Sequence, residues 1–201
     1  SPKDYRLNNS KICKQESNTG KNAFNLNHYF DNSNFSNYLN GVKMNVTIKT
    51  MPEFNVAYVA NYEGYFVDKI NRAWAKLCKW GESNDLINKD TAFLGISFDN
   101  PDVTPLEKCR YYACITIPNN LELPKGIGQL SLPAGKHAVL HFEGTDEDLQ
   151  KYYKWLYTEW LPNSGYLPND APCYEIYFST PEQNEQKIFI LDICMPIKPL
   201  I

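Results

Sequence analysis

MPEFNVAYVANYEG (residues 51–64) is the stretch that decides the fold, because LPAGKHAVLHFEG (residues 132–144) repeats it later in the chain. Both stretches alternate side chains with the period of a β-strand, and both end at a glycine. The two glycines, Gly64 and Gly144, are 80 residues apart. The chain therefore contains one structural unit in two copies.

The remainder of the unit keeps the same spacing. VDKINRAWAKLCKW (67–80) and EDLQKYYKWLYTEW (147–160) both place apolar residues on one helical stripe, and Trp80 matches Trp160. Two strand patterns joined by a turn-rich connection then close each copy. We expect an α+β domain built from a tandem duplicated β-α-β-β unit with pseudo-twofold symmetry. Its antiparallel sheets would carry the helices on one side, with a central ligand groove between the halves.

The pattern also predicts domain boundaries. We expect the duplicated domain to span residues 44–201, with repeat one at 44–118 and repeat two at 129–199. Residues 8–43 are rich in Asn, which favours turns over helix, and this composition indicates a linker. Residues 1–7 are interpreted as the end of a preceding domain.

The basis of that last interpretation is the segment SPKDYR at the start of the chain. It resembles the end of the second helix-turn-helix in AraC-type transcription regulators, with Ser1 as N-cap and Pro2 in the first helical position. The resemblance implies that a DNA-binding region lies before Ser1. The chain would then be the effector part of a longer regulator.

Composition narrows the function classes. A net charge of −3 and a pI near 5.6 argue against nucleic-acid binding by this domain alone, because phosphate neutralisation needs clustered Lys and Arg. No apolar run reaches membrane-spanning length. The six cysteines lack metal-ligand spacing, and His137 and His141 have no carboxylate or Cys at ligand spacing. We expect no metal, no cofactor and no membrane contact, with reduced cysteines in the cytoplasm.

One position differs in kind between the two copies. Gly95 in the first copy corresponds to Glu175 in the second, inside a strand pattern that disfavours Glu. Glu175 and Tyr177 share one face of that strand. We expect this face to point toward the groove and the opposite, more apolar face to pack under the helix; its residues are Tyr174, Ile176 and Phe178.

A carboxylate in an aromatic-walled, poorly solvated groove attracts a cation through both charge and cation–π contacts. Aromatic residues make up 14% of the chain, so such walls are available. Glu175 is the predicted centre of a ligand site, and the candidate walls are Trp160, Tyr177, Tyr58, Tyr62 and Tyr112.

The doubled unit, the WLPNSGY segment and the CYEIYF strand together resemble the GyrI-like effector-binding domain over about residues 44–199. This family includes effector domains of AraC-type regulators and of multidrug sensors. The resemblance implies a groove that binds small amphipathic or cationic molecules, with Glu175 as the glutamate that meets the ligand. It also implies DNA contact through the region before Ser1 and contact with RNA polymerase in a full-length protein.

The same resemblance leaves two alternatives to a sensor without enzymatic activity. Some stand-alone members resemble hydrolases that need a Trp and a Glu at the positions of Trp160 and Glu175, with the glutamate acting as a general base on water. Other members inhibit DNA gyrase, which implies a protein-binding module. The regulator-like head and the linker favour the sensor.

Overall fold

The computed structural model describes residues 44–200, so the interpretations of residues 1–7 and 8–43 concern segments outside the described residues. Strands dominate this part of the chain. They are β1 Val46–Met51, β2 Phe54–Asn61, β3 Phe93–Ser97, β4 Tyr111–Thr116, β5 Gly128–Leu132, β6 Gly135–Gly144, β7 Tyr166–Pro168, β8 Tyr174–Ser179 and β9 Phe189–Pro199. The α-helices are α1 Val67–Ser83, α2 Asp146–Trp155 and α3 Leu161–Asn163; a π-helical turn, Leu156–Trp160, joins α2 to α3, and a 3₁₀ turn spans Leu106–Lys108.

The strands form one antiparallel arrangement in the order β1-β6-β9-β8-β3-β4-β2-β5, with β7 added beside β9. Repeat one supplies β2, β3 and β4, and repeat two supplies β6, β8 and β9. The two sets meet at the β3–β8 pair and mirror each other outward from it. The predicted α+β fold with a duplicated unit is confirmed.

Both main helices lie on the same side of the sheet. The helix α1 packs on β2 and β4 of repeat one, and α2 packs on β6 of repeat two. Thr145 is the N-cap of α2, where its side chain and that of Asp148 form a capping box that satisfies two free backbone N–H groups. The central strands β8 and β3 lie between the two helices. We call the buried side-chain cluster between the helices and these strands the interhelical site.

The expected orientation of strand β8 is wrong. Tyr174 is buried on the face away from the helices, whereas Tyr177 packs against the helix-side cores of both repeats. The reason is that both faces are buried. The Phe54 and Tyr174 rings are only 6.1 Å apart although two strands separate β2 from β8, a distance of about 14 Å in a flat sheet. The sheet therefore curls around the Tyr174 face, and apolarity alone cannot identify the helix side.

Two local features differ from simple strand and turn patterns. Pro52 lies between β1 and β2, so the alternating stretch divides there and β1 crosses over to pair with β6 of the other repeat. The KGIGQL segment (125–130) begins with a turn and from Gly128 continues as β5 along β2. In residues 44–200 the structure has no helix that is both long and apolar enough to span a membrane.

Candidate functional site

Glu175 lies at the centre of the molecule, directly opposite Gly95 in the β3–β8 register. These two residues also occupy equivalent positions in the two repeats, 80 residues apart. When two residues at equivalent positions of the two repeats pair with each other across neighbouring strands, the pseudo-twofold axis must pass between them. The axis therefore passes between Gly95 and Glu175, and the sequence difference between the copies falls at the symmetry centre.

The carboxyl group of Glu175 is enclosed by tyrosines. Glu175 is only 3% exposed to solvent. Tyr153 from α2 donates a hydrogen bond of 2.8 Å to Oε1, and Tyr177 donates a hydrogen bond to Oε2. None of the ion pairs in residues 44–200 includes Glu175. The acid thus has neutral donors on both oxygens.

Repeat one supplies the next groups outward. The Tyr111 hydroxyl lies 3.4 Å from that of Tyr177, and Trp74 Nε1 of α1 donates to the Tyr111 hydroxyl at 3.1 Å. Gly95 makes room for this arrangement, because a β-carbon there would overlap the Tyr111 hydroxyl and lie 3.0 Å from Glu175 Oε2. Side chains from both repeats therefore converge on one acid.

Burial governs the ionisation of this cluster. Desolvation raises the pKa of Glu175 above its ordinary value, and the hydrogen bonds from Tyr177 and Tyr153 oppose that rise. Desolvation also raises the pKa values of Tyr111, Tyr153 and Tyr177 well above normal, with the Glu175 charge adding to the effect. The three tyrosines therefore remain neutral donors around a carboxyl group that holds its proton more tightly than it would in water.

Cys173 precedes this acid on the same strand face. Burial and, to a smaller extent, the nearby Glu175 charge raise the pKa of its thiol to about 12. The Tyr153 and Tyr157 hydroxyls contact the thiol and partly offset that effect. The thiol is therefore protonated and unreactive, and it forms part of the wall of the site.

Tyr58, Tyr62 and Tyr112 do not lie in the interhelical site. Tyr58 and Tyr112 stack at 4.3 Å and pack against the core on the face away from the helices. Tyr62 joins this group through a hydroxyl contact of 3.1 Å with Tyr112. The sheet separates these three residues from Glu175, so their predicted place as walls around that acid is corrected. The prediction was wrong because the sequence pattern did not show which face of each strand lies toward the helices.

Trp160 lies on the helix side, at the end of the π-helical turn, and packs on the hydrophobic core of repeat two. Cys173 and Tyr177 border the same core. A π-helical turn is uncommon and often occurs near functional sites. The role of Trp160 in ligand binding stays a prediction.

The other polar candidates have structural roles. His137 is buried, its Nδ1 lies 3.0 Å from the Gly135 carbonyl oxygen, and burial lowers its pKa. Asp192 Oδ2 lies 3.7 Å from Lys49 Nζ, and Asp192 Oδ1 lies 2.7 Å from His141 Nδ1. Across the described part of the chain, no group of three His, Cys, Asp or Glu residues could hold a metal.

Sequence reasoning missed three residues of the site, namely Tyr153, Tyr111 and Trp74. Two of them, Trp74 and Tyr153, lie on the helical stripes that were interpreted as core. A buried Trp or Tyr carries one polar atom that needs a hydrogen-bond partner. That requirement was the available signal, because it points to a polar group under the helices.

The fold and this buried acid between two repeats define a class of ligand-binding domain. Residues 44–198 match the GyrI-like small molecule binding domain, so the chain belongs to that family. YosT of Bacillus subtilis (strain 168), whose name describes a prophage-derived transcriptional regulator, is 27% identical over 77% of this chain and 100% of its own length. The DNA gyrase inhibitor of Erwinia billingiae (strain Eb661) is 30% identical over 54% of this chain and 70% of its own.

Solved structures share the fold. EcmrR, in a complex with DNA in EcmrR-RPo, has a TM-score of 0.66 at 14% identity; the match covers 83% of this chain and 64% of EcmrR. The EcmrR C-terminal domain alone gives 0.63 at 14% identity and covers 79% and 99%. SAV2435 bound to tetraphenylphosphonium gives 0.52 at 19% identity and covers 77% and 94%. The domain is thus a GyrI-like small-molecule-binding domain with relatives among transcription regulators.

Proposed function

We propose that this domain is the sensor of a bacterial AraC-type transcription regulator and that it binds a lipophilic cation at Glu175. The observation that carries the proposal is the environment of this acid. Glu175 is almost fully buried, both of its oxygens accept from neutral hydroxyls, and no described ion pair includes it. A buried carboxylate without a cation is costly, so a ligand that brings positive charge gains affinity there.

Charge and shape favour the same ligand class. A unit charge about 4 Å from Glu175 gains about 4 kcal/mol at an effective dielectric near 20. The rings of Trp74 and Tyr177, 5.7 Å apart and edge to face, give the site flat apolar surfaces beside the acid. With one carboxylate at the centre, the preferred ligand carries one positive charge and an aromatic body. The binding of tetraphenylphosphonium by the structural relative SAV2435 supports this class.

The regulatory part of the proposal has separate support. The SPKDYR head resembles the end of an AraC-type DNA-binding region, and both YosT and EcmrR are described in terms of transcription or DNA. Ligand binding would change the contact of this domain with a DNA-binding region, or with RNA polymerase, through different affinities for two conformations. Such a regulator works in the bacterial cytoplasm, where its DNA is.

Titration calorimetry with tetraphenylphosphonium tests the ligand part. Binding to the wild-type domain should weaken by more than about tenfold in Glu175→Gln, which removes the charge and keeps the size. Glu143→Gln is the matched control, because Glu143 is a solvent-exposed glutamate on β6. Equal weakening in both variants, or none in Glu175→Gln, would contradict charge recognition at this site.

The hydrolase alternative assigns Glu175 a different role. Solved structures described as hydrolases from Listeria innocua share the fold at 10% identity, and Glu175 and Trp160 are both present here. Both Glu175 oxygens already accept hydrogen bonds from tyrosine hydroxyls, an arrangement that favours binding over water activation. Turnover assays with ester or cyclopropane substrates separate the two functions, because a sensor releases its ligand unchanged.

A protein-binding function is supported by the relatives named DNA gyrase inhibitor, including that of Escherichia coli (strain K12), which is 27% identical over 68% of this chain. Supercoiling assays with purified gyrase test it directly. Inhibition by the wild-type domain and by Glu175→Gln alike would favour a protein-binding surface over the interhelical site.

A further inference from the structure

Trp74 and Tyr111 lie in repeat one, whereas the acid they approach belongs to repeat two. The atoms form one chain, from Trp74 Nε1 to the Tyr111 hydroxyl, the Tyr177 hydroxyl and Glu175 Oε2. The link between the two tyrosines is the longest, at 3.4 Å. A second and shorter link reaches the other carboxylate oxygen from Tyr153.

When Glu175 is ionised, the chemistry of the end groups fixes the direction of every link. An indole N–H can only donate, so Tyr111 accepts from Trp74. Tyr177 gives its proton to Glu175, so between the two tyrosines Tyr111 must donate. All the protons therefore point toward the acid. This arrangement suits a carboxylate, which only accepts, whereas a protonated acid would donate to Tyr177 and reverse the link between Tyr177 and Tyr111.

We propose that Trp74 and Tyr111 are positioning residues through which repeat one holds Glu175 of repeat two in its ionised form, ready for a cation. Each donated hydrogen bond polarises the next hydroxyl and makes it a better donor, an effect of about 10–30% per bond. The inference rests on the proposed function. It adds that the affinity of the site is set partly by residues that do not bond to Glu175 directly.

The charge of Glu175 also depends on the other groups that face it. In the described residues, the titratable groups whose raised pKa values include an effect of the Glu175 charge are all Tyr or Cys. They are Tyr153 from α2, Tyr177 from β8, Cys173 just before β8, Tyr111 from β4 and Cys194 from β9. These groups stay neutral near pH 7, so a change in the hydrogen-bond chain acts on the titration of Glu175 itself.

Titration of the Glu175 carboxyl carbon by NMR in the ligand-free domain tests the inference, with Glu175→Gln to assign the signal. Trp74→Phe removes the N–H and keeps a ring, and the midpoint should rise by roughly 0.3 pH unit. Tyr111→Phe breaks the chain nearer the acid, and the midpoint should rise by roughly half a pH unit. Trp80→Phe is the control, because Trp80 packs on the same core from the same helix and should leave the midpoint unchanged.

The same variants should move the pH at which tetraphenylphosphonium affinity falls to half, in the same order. A role limited to packing would lower affinity equally at every pH. Folded Trp74→Phe and Tyr111→Phe domains with the wild-type midpoint would overturn the inference, even if Glu175→Gln abolishes binding. A shifted midpoint with unchanged cation binding in Glu175→Gln would instead support the inference and contradict the proposed function.

Discussion

Gly95 and Glu175 face each other across the central strand pair although they occupy the same position in the two repeats. A side chain at position 95 would point into the same small volume as the Glu175 side chain, and that volume holds only one carboxyl group. Two glutamates there would bring two carboxylates together, with strong repulsion. The missing side chain of Gly95 is thus as much a part of the site as the acid.

Gly95→Ala should therefore destabilise the domain by about 1–3 kcal/mol, because the added methyl group overlaps the Tyr111 hydroxyl. Urea unfolding measures the loss. Gly135→Ala is the matched control, since a β-carbon at Gly135 in β6 meets no atom within 4 Å. Equal stability changes in the two variants would show that the space beside Gly95 is not filled in the folded protein.

Glu175→Gln should change how stability depends on pH. Burial raises the folded-state pKa of Glu175 above its ordinary value of 4.5. The folded protein then binds the proton more tightly than the unfolded chain, so this group favours folding fully below about pH 4.5 and loses that contribution as pH rises through the folded pKa.

Relative to the wild type, Glu175→Gln should therefore become more stable as pH rises from 4 to 8, as measured by the unfolding midpoint in urea. Glu143→Gln, at an exposed residue, should track the wild type. A constant difference between Glu175→Gln and wild type across this range would mean that burial does not shift the ionisation of the acid.

Tyr153→Phe should destabilise the domain by about 1–3 kcal/mol at pH 8, because one oxygen of a buried carboxylate loses its donor. The loss should shrink as the pH falls and Glu175 takes up a proton. Tyr152→Phe is the control from the adjacent helical position; its ring keeps the edge-to-face contact with Phe142 at 4.8 Å. If the Tyr153→Phe loss were independent of pH, the hydroxyl would not be acting on the charge of Glu175.

The repeat, the helices and the central position of the acid could be predicted because they follow from local patterns. The 80-residue spacing shows which residues are equivalent, and the apolar helical stripes predict both main helices. The faces of the strands could not be assigned in this way. The curled sheet buries Tyr174 as deeply as Glu175, so an apolar face did not identify the helix side.

The residues whose hydroxyl groups surround Glu175 could not be predicted from the sequence, for a related reason. Tyr153 and Tyr111 are far from Glu175 in sequence and meet it only through packing of α2 and β4 around β8. Tyr58 and Tyr112 were plausible by residue type, yet they stack on the other face. Alternation shows that successive residues of a strand lie on opposite faces of the sheet. Only the tertiary structure shows which of the two faces lies toward the helices.

The most direct test of the central claim compares two ions of nearly equal size and shape and opposite charge, tetraphenylphosphonium and tetraphenylborate, by calorimetry at pH 8. The wild-type domain should prefer the phosphonium by more than about tenfold, and Glu175→Gln should lose most of that preference. Equal affinity of the wild type for both ions, or an undiminished preference in Glu175→Gln, would contradict a buried carboxylate that recognises charge.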